Sequence, residues 1–160
     1  MRPQHTVITT ESPEATRDLA ARLAVGLPPF LVVLLLVGPL GSGKTTFVQG
    51  LAKGLGVRAG VTSPSFLLMK DYDEGLRPMR HIDLFRLDSP EKARSLGLTA
   101  DLPDDAVVAV EWADRFRLPF SAPLLTVVFA LGTGENERTL TFSAEDDAEI
   151  SGLLDALRSG

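Results

Sequence analysis

Leu31-Val32-Val33-Leu34-Leu35-Leu36-Val37 runs directly into Gly38-Pro39-Leu40-Gly41-Ser42-Gly43-Lys44-Thr45. The first stretch is apolar, rich in β-branched residues and bounded by Pro29 and Gly38, the pattern of a strand buried on both faces. The second satisfies G-x-x-x-x-G-K-[ST] in full. Behind it Phe47, Val48, Leu51 and Leu55 share one side of a helix that stops at Gly56. Strand, glycine-rich loop and helix in that order define a phosphate-binding loop. Glycines let successive backbone N–H groups point into one concavity, and the helix adds the positive end of its dipole. Leu40, Gly41, Ser42, Gly43, Lys44, Thr45 and Thr46 are the nucleotide-binding candidates. Lys44 is expected to bridge the outer phosphates, and Thr45 to offer its hydroxyl to Mg²⁺, a cation that prefers hard oxygen ligands.

Working outward, Ser12-Pro13-Glu14 reads as a helix N-cap with proline at the first helical position, opening a helix from Pro13 to Val25. Ser65 to Met69 and Met79 to Phe85 read as two strands of a hairpin around Asp73-Glu74-Gly75. Ser89-Pro90-Glu91 opens a short helix that ends near Gly97. Ala106 to Val110 is another apolar strand, Leu124 to Ala130 and Arg138 to Phe142 form a late antiparallel pair, and Asp146 to Leu157 is a last amphipathic helix. No repeat, linker or low-complexity tract interrupts the chain, so one domain over residues 1–160 is expected.

A nucleotide-hydrolysing site of this kind needs a carboxylate at the end of a neighbouring strand. Val107-Val108-Ala109-Val110 terminates in Glu111, the first candidate for the Walker B position, with Trp112 beside it. His81-Ile82-Asp83-Leu84-Phe85-Arg86-Leu87 places Asp83 late in a second strand, on the same face as His81. Asp83 is either a second ligand to Mg²⁺-bound water, the group that orients the attacking water, or half of a structural contact with Arg86 or His81. A lone histidine such as His81 is more often a structural hydrogen bonder than a catalyst. Thr62-Ser63-Pro64-Ser65-Phe66 concentrates hydroxyls around a proline, which suits either a switch segment reaching the γ-phosphate or an ordinary turn.

Composition narrows the classes further. Sixteen Lys and Arg against 21 Asp and Glu leave a net charge of −5 over 160 residues, so bulk charge does not grip a phosphate backbone. The absence of cysteine excludes disulfides, Cys-ligated zinc, iron–sulfur clusters and thiol catalysis, and two histidines exclude a histidine-rich metal site. The uncharged stretch from Leu23 to Gly43 is interrupted by Pro28, Pro29, Gly38 and Pro39, and falls short of the roughly 20 apolar residues a membrane span requires. The N-terminus shows no apolar segment with a small-residue cleavage site, so a cytoplasmic protein without membrane contact is expected.

Four segments together resemble the bacterial TsaE (YjeE-type) ATPases of tRNA threonylcarbamoyladenosine biosynthesis: Gly38 to Phe47, Thr62 to Phe66, His81 to Leu87, and Val110-Glu111-Trp112. The resemblance covers nearly the whole chain. It implies an α/β fold, P-loop NTPase-like and three-layered, whose central sheet mixes parallel and antiparallel strands. It also implies ATP and ADP as ligands, Mg²⁺, weak intrinsic ATPase activity, and dependence on partners of the TsaB and TsaD families that install threonylcarbamoyl at adenosine 37 of tRNAs reading A-starting codons. The tRNA would then be met through that complex. Residue by residue, the resemblance implies Thr45 and Glu111 as Mg²⁺ ligands and Lys44, Asp83 and Glu111 as the catalytic set. It likewise implies Thr62, Ser63 and Ser65 as the switch, and Ser12 and Arg138 as parts of the adenine pocket. The chain departs from the family at Phe85, usually tyrosine, and at Ser65, where threonine is common.

Two other classes compete. A small-molecule P-loop kinase would use Asp83 and Arg86 to position an acceptor, with Arg77, Arg80 and Arg86 gathered over the transferred phosphoryl group. A GTPase switch would need an Asn-Lys-x-Asp element, whereas Asn136, the only asparagine, is followed by Glu137.

Overall fold

The computed structural model describes residues 4–64, 67–144 and 147–159. Along the chain come β1 (Gln4–Thr10), α1 (Pro13–Gly26), β2 (Val32–Val37), α2 (Lys44–Gly54), β3 (Met69–Tyr72) and β4 (Met79–Asp83). They are followed by α3 (Pro90–Ser95), β5 (Val107–Glu111), β6 (Leu124–Leu131), β7 (Arg138–Ala144) and α4 (Ala148–Ser159). The strands build one seven-stranded sheet in the order β1-β7-β6-β2-β5-β4-β3. β2 lies parallel to β5 and β6, and β5 parallel to β4, while β3, β7 and β1 each pair antiparallel with their neighbours. The mixed sheet expected from the family resemblance is therefore present.

Local sequence explains the helix boundaries. The Ser12 hydroxyl accepts from the Ala15 N–H at 3.0 Å and Pro13 fills the first turn, where its missing N–H removes nothing. Ser89 repeats the arrangement for α3, accepting from Lys92 N–H at 3.3 Å. At α4, the Asp147 carboxylate accepts from Ile150 N–H at 3.0 Å.

The two faces of the sheet are covered differently. On one, α1, α2 and α4 pack Leu23, Leu51 and Leu154 against Leu34, Leu36, Val127 and Phe142, with Phe47 edge-on to Phe129 at 5.6 Å between ring centroids. Gly50 lets α2 approach α1 closely, since a Cβ there would collide with the Arg17 carbonyl oxygen. On the other face the third layer is only partly helical. The single turn-and-a-half of α3 joins residues from the irregular segment 112–123, including Phe116, Leu118 and Phe120, over Val33, Ile82 and Val110.

The hairpin between β3 and β4 forms, but its first strand is displaced. Among the described residues extended pairing begins at Met69, because Leu67 N–H and Leu68 N–H both turn back to the Pro64 carbonyl, at 3.0 and 2.7 Å, and Leu68 is left-handed at φ 61°. The second strand stops at Asp83, two residues before Phe85. Ser65 and Phe66 of the expected switch, and Asp146 at the expected start of the last helix, lie outside the described residues.

Candidate nucleotide site

The C-terminal ends of β2, β4 and β5 open into a cleft of about 480 Å³, the position where a sheet with a parallel centre presents its ligand site. Its floor is the loop between β2 and α2. Gly43 caps α2 at φ 101°, a left-handed conformation that a side chain would strain, and Gly41 also has positive φ. Leu40, Gly41, Gly43, Lys44, Thr45 and Thr46 line the cleft. Ser42 does not: its hydroxyl is buried without a partner among the described residues, and its N–H donates to the Pro39 carbonyl at 3.2 Å.

Lys44 is folded onto its own loop. Its Nζ donates to the carbonyls of Gly38 at 2.6 Å and Pro39 at 2.9 Å, and sits 3.9 Å from the centroid of the Trp112 ring. Burial lowers its pKa from the ordinary lysine value, an effect opposed by the charges of Glu111, Asp83 and Asp114. Trp112 itself is held at φ 59°, a left-handed conformation costing an L-residue about 1–2 kcal/mol. Phe85 stacks on it at 4.9 Å, so the family's tyrosine position is occupied here by an aromatic ring in contact with the indole.

The two carboxylates are direct partners across the β4–β5 ladder, Asp83 opposite Glu111, and both are almost fully buried. Each has its own set of donors. The Thr45 hydroxyl donates to Glu111, 2.8 Å from Oε1 and 3.0 Å from Oε2, and His81 Nε2 lies 2.5 Å from Glu111 Oε2. Asp83 accepts from the Ser63 hydroxyl at 2.6 Å and the Phe85 N–H at 2.9 Å. The histidine therefore reaches Glu111, not Asp83. A Thr45 hydroxyl whose hydrogen is directed at a carboxylate leaves its lone pairs free, and hydroxyl and carboxylate oxygens are the hard donors Mg²⁺ takes alongside retained waters, so this donor set fits that cation.

The remaining expected residues separate. Ser63 joins the cleft through Asp83, while Thr62 is exposed outside it. Ser12 is committed to the α1 cap, and its neighbours Pro13 and Thr16 supply the wall instead. Arg138 lines the mouth, donating to the carbonyls of Gly41 at 3.2 Å, Glu135 at 2.9 Å and Glu137 at 2.8 Å, which ties the β6–β7 turn to the phosphate loop. Asn136 beside it was not foreseen as a lining residue, nor were Pro13 and Thr16, since no local pattern marks them. The arginine cluster a kinase would need is not assembled. Arg77 binds the carbonyls of Pro28, Phe30 and Asp105, and Arg80 pairs with Asp71 and the carbonyls of Leu98 and Ala100, leaving Arg86 alone of the three at the cleft.

A glycine loop at the mouth of a parallel strand, with a lysine behind it and carboxylates on the adjoining strand ends, places the chain among the phosphate-loop α/β proteins. Comparison with known proteins resolves that class. The family model described as threonylcarbamoyl adenosine biosynthesis protein TsaE matches residues 10–140. The tRNA threonylcarbamoyladenosine biosynthesis protein TsaE of Bacillus subtilis is 37% identical over 135 residues, covering 84% of this chain and 83% of that protein. The protein of the same name from Rickettsia conorii is 32% identical over 152 residues, 94% and 86% of the two chains. The crystal structure of Bacillus subtilis YdiB superposes with a TM-score of 0.70 at 28% identity, covering 99% of this chain and 97% of that one. The chain belongs to the TsaE family. No helix among the described residues is long and apolar enough to cross a membrane.

Proposed function

We propose that this chain is a Mg²⁺-dependent ATPase of weak intrinsic activity. On this reading it serves the threonylcarbamoylation of adenosine 37 in tRNAs reading A-starting codons, together with proteins of the TsaB and TsaD families. The observation that carries the proposal is the hydrogen bond from Thr45, the hydroxyl that closes the phosphate-loop motif, to Glu111 on the neighbouring strand, with Asp83 directly opposite Glu111 on β4. The biosynthetic role rests on the names of the relatives, and the partners and tRNA follow from that role.

The loop N–H groups and Lys44 bind the phosphates, Lys44 exchanging the Gly38 and Pro39 carbonyls for phosphate oxygens. Thr45 and Glu111 would hold the cation. When bound, Mg²⁺ would supply neutralisation of the charge that develops in phosphoryl transfer. Asp83, kept in place by Ser63 and the Phe85 N–H, orients the attacking water and receives its proton. Because Ser63 adjoins Pro64, the same hydrogen bond links the state of the γ-phosphate to the backbone at that proline.

Phosphate release and modified nucleoside are to be assayed together, for the protein alone and with its TsaB- and TsaD-family partners and tRNA. Slow release that partners stimulate, abolished by Lys44→Ala and reduced at least about 100-fold by Asp83→Asn, is the expected result. Intact turnover and modification in both variants would overturn the proposal. A phosphorylated metabolite in place of free phosphate would transfer the site to the kinase class.

A further inference from the structure

His81 has no part in the scheme above, yet it is fully enclosed, with 0% exposure in the middle of β4. Its ladder partner on β5 is Ala109, a small residue that leaves the ring room to reach along the strand to Glu111. The Nε2–Oε2 separation is 2.5 Å. Nδ1 is buried and meets no hydrogen-bond partner among the described residues, so a proton placed there would be an unpaired buried donor. The ring proton is therefore assigned to Nε2, where it points at Glu111.

We propose that His81 is a positioning residue for cation binding: it fixes the rotamer of Glu111, and through Glu111 the hydroxyl of Thr45. The chain of contacts is continuous, from the Nε2–H of His81 to Oε2 of Glu111 and from Glu111 to the Thr45 hydroxyl at 2.8 Å. A carboxylate held only by a threonine rotor has two loose ends. Anchored by a buried ring, it offers Thr45 one acceptor direction, so the threonine lone pairs face one way into the cleft. A ring already packed on all sides donates this bond with little further loss of freedom, which a long flexible donor does not. Partners in this outer position commonly change metal affinity by about 10- to 100-fold. The inference rests on the proposal that Thr45 and Glu111 hold the cation.

The test is the affinity for ADP by titration calorimetry, with and without magnesium chloride, supplemented by Mn²⁺ binding followed by electron paramagnetic resonance. In His81→Leu the Mg²⁺-dependent gain in ADP affinity is expected to fall about 10-fold, with the Mg²⁺-free affinity unchanged within about twofold. His81→Gln, whose amide N–H reaches the same oxygen, recovers most of the gain. His81→Asn, too short to reach it, does not. A purely structural role would lower the unfolding temperature and leave the Mg²⁺ dependence of the folded protein alone. If Thr45→Val and Glu111→Gln lose the Mg²⁺ effect while both His81→Leu and His81→Asn retain it, His81 is no positioning residue. If Thr45→Val and Glu111→Gln also retain it, the cation site itself is misassigned. Should His81→Leu fail to fold, the contrast between His81→Gln and His81→Asn decides.

Discussion

The C-terminal ends of the parallel strands and the antiparallel margin of the sheet are built from opposite materials. At those ends β4 and β5 bury Asp83 and Glu111 beside the cleft, with His81 bonded to Glu111 from within the sheet, and α2 begins with a buried lysine. At the margin, Phe129 of β6 and Phe142 of β7 close on Phe47 with centroids 5.6 and 6.1 Å away. Buried charges add little net stability even when paired, whereas aromatic burial adds a great deal. The comparison teaches that apolar packing, in the body of β2 and β5 as well as at the margin, holds the fold so that the strand ends can carry polar groups arranged for a ligand.

The sharpest way to break that comparison is to exchange the consequences. Phe142→Ala should lower the unfolding free energy by about 3–5 kcal/mol in a urea titration, while the folded fraction keeps its nucleotide affinity within about twofold. A comparable loss of affinity would show that the margin shapes the site after all. Lys44→Met should do the reverse, reducing turnover by at least about 100-fold with a stability change within about 1 kcal/mol. Strong destabilisation there would make the lysine a structural strut of the loop. Tyr72→Phe sharpens the picture at the far edge of the sheet: the Tyr72 hydroxyl is buried without a partner among the described residues, so its removal should stabilise by about 1 kcal/mol, read as a rise in unfolding temperature.

The smallest effect is the alkaline response. Burial lowers the pKa of Lys44, so between that value and the ordinary lysine value the unfolded chain holds more protons, and stability rises with pH. Burial raises the pKa of Tyr72, so above the ordinary tyrosine value the unfolded chain has lost a proton that the folded chain keeps, and stability falls with pH. Unfolding temperatures from about pH 8 to pH 11 should therefore lose their alkaline gain in Lys44→Met and their alkaline decline in Tyr72→Phe. Identical profiles for both variants and the parent would remove the two groups from the account.

Much of this was legible because it is local. The phosphate loop, the Ser12 and Ser89 caps and the strand ending in Glu111 are each written in fewer than about a dozen consecutive residues, the range over which periodicity and capping act. What was hidden is set by register between distant strands. Nothing near His81 says that Ala109 lies opposite it, and strand periodicity alone pairs the histidine with Asp83 on its own face, not with Glu111. Likewise Pro64 redirected two N–H groups to itself and delayed the strand that the apolar run Phe66-Leu67-Leu68-Met69 suggested, and the pairing of β1 with β7 spans almost the full chain.

Trp112 is the only tryptophan in the sequence, and its ring lies 3.9 Å from the ammonium of Lys44. Any ligand that draws Lys44 off the indole face changes the electrostatic surroundings of the protein's sole long-wavelength fluorophore. The cleft thus carries its own optical reporter, and the rates of ligand arrival and departure are open to stopped-flow emission without a label.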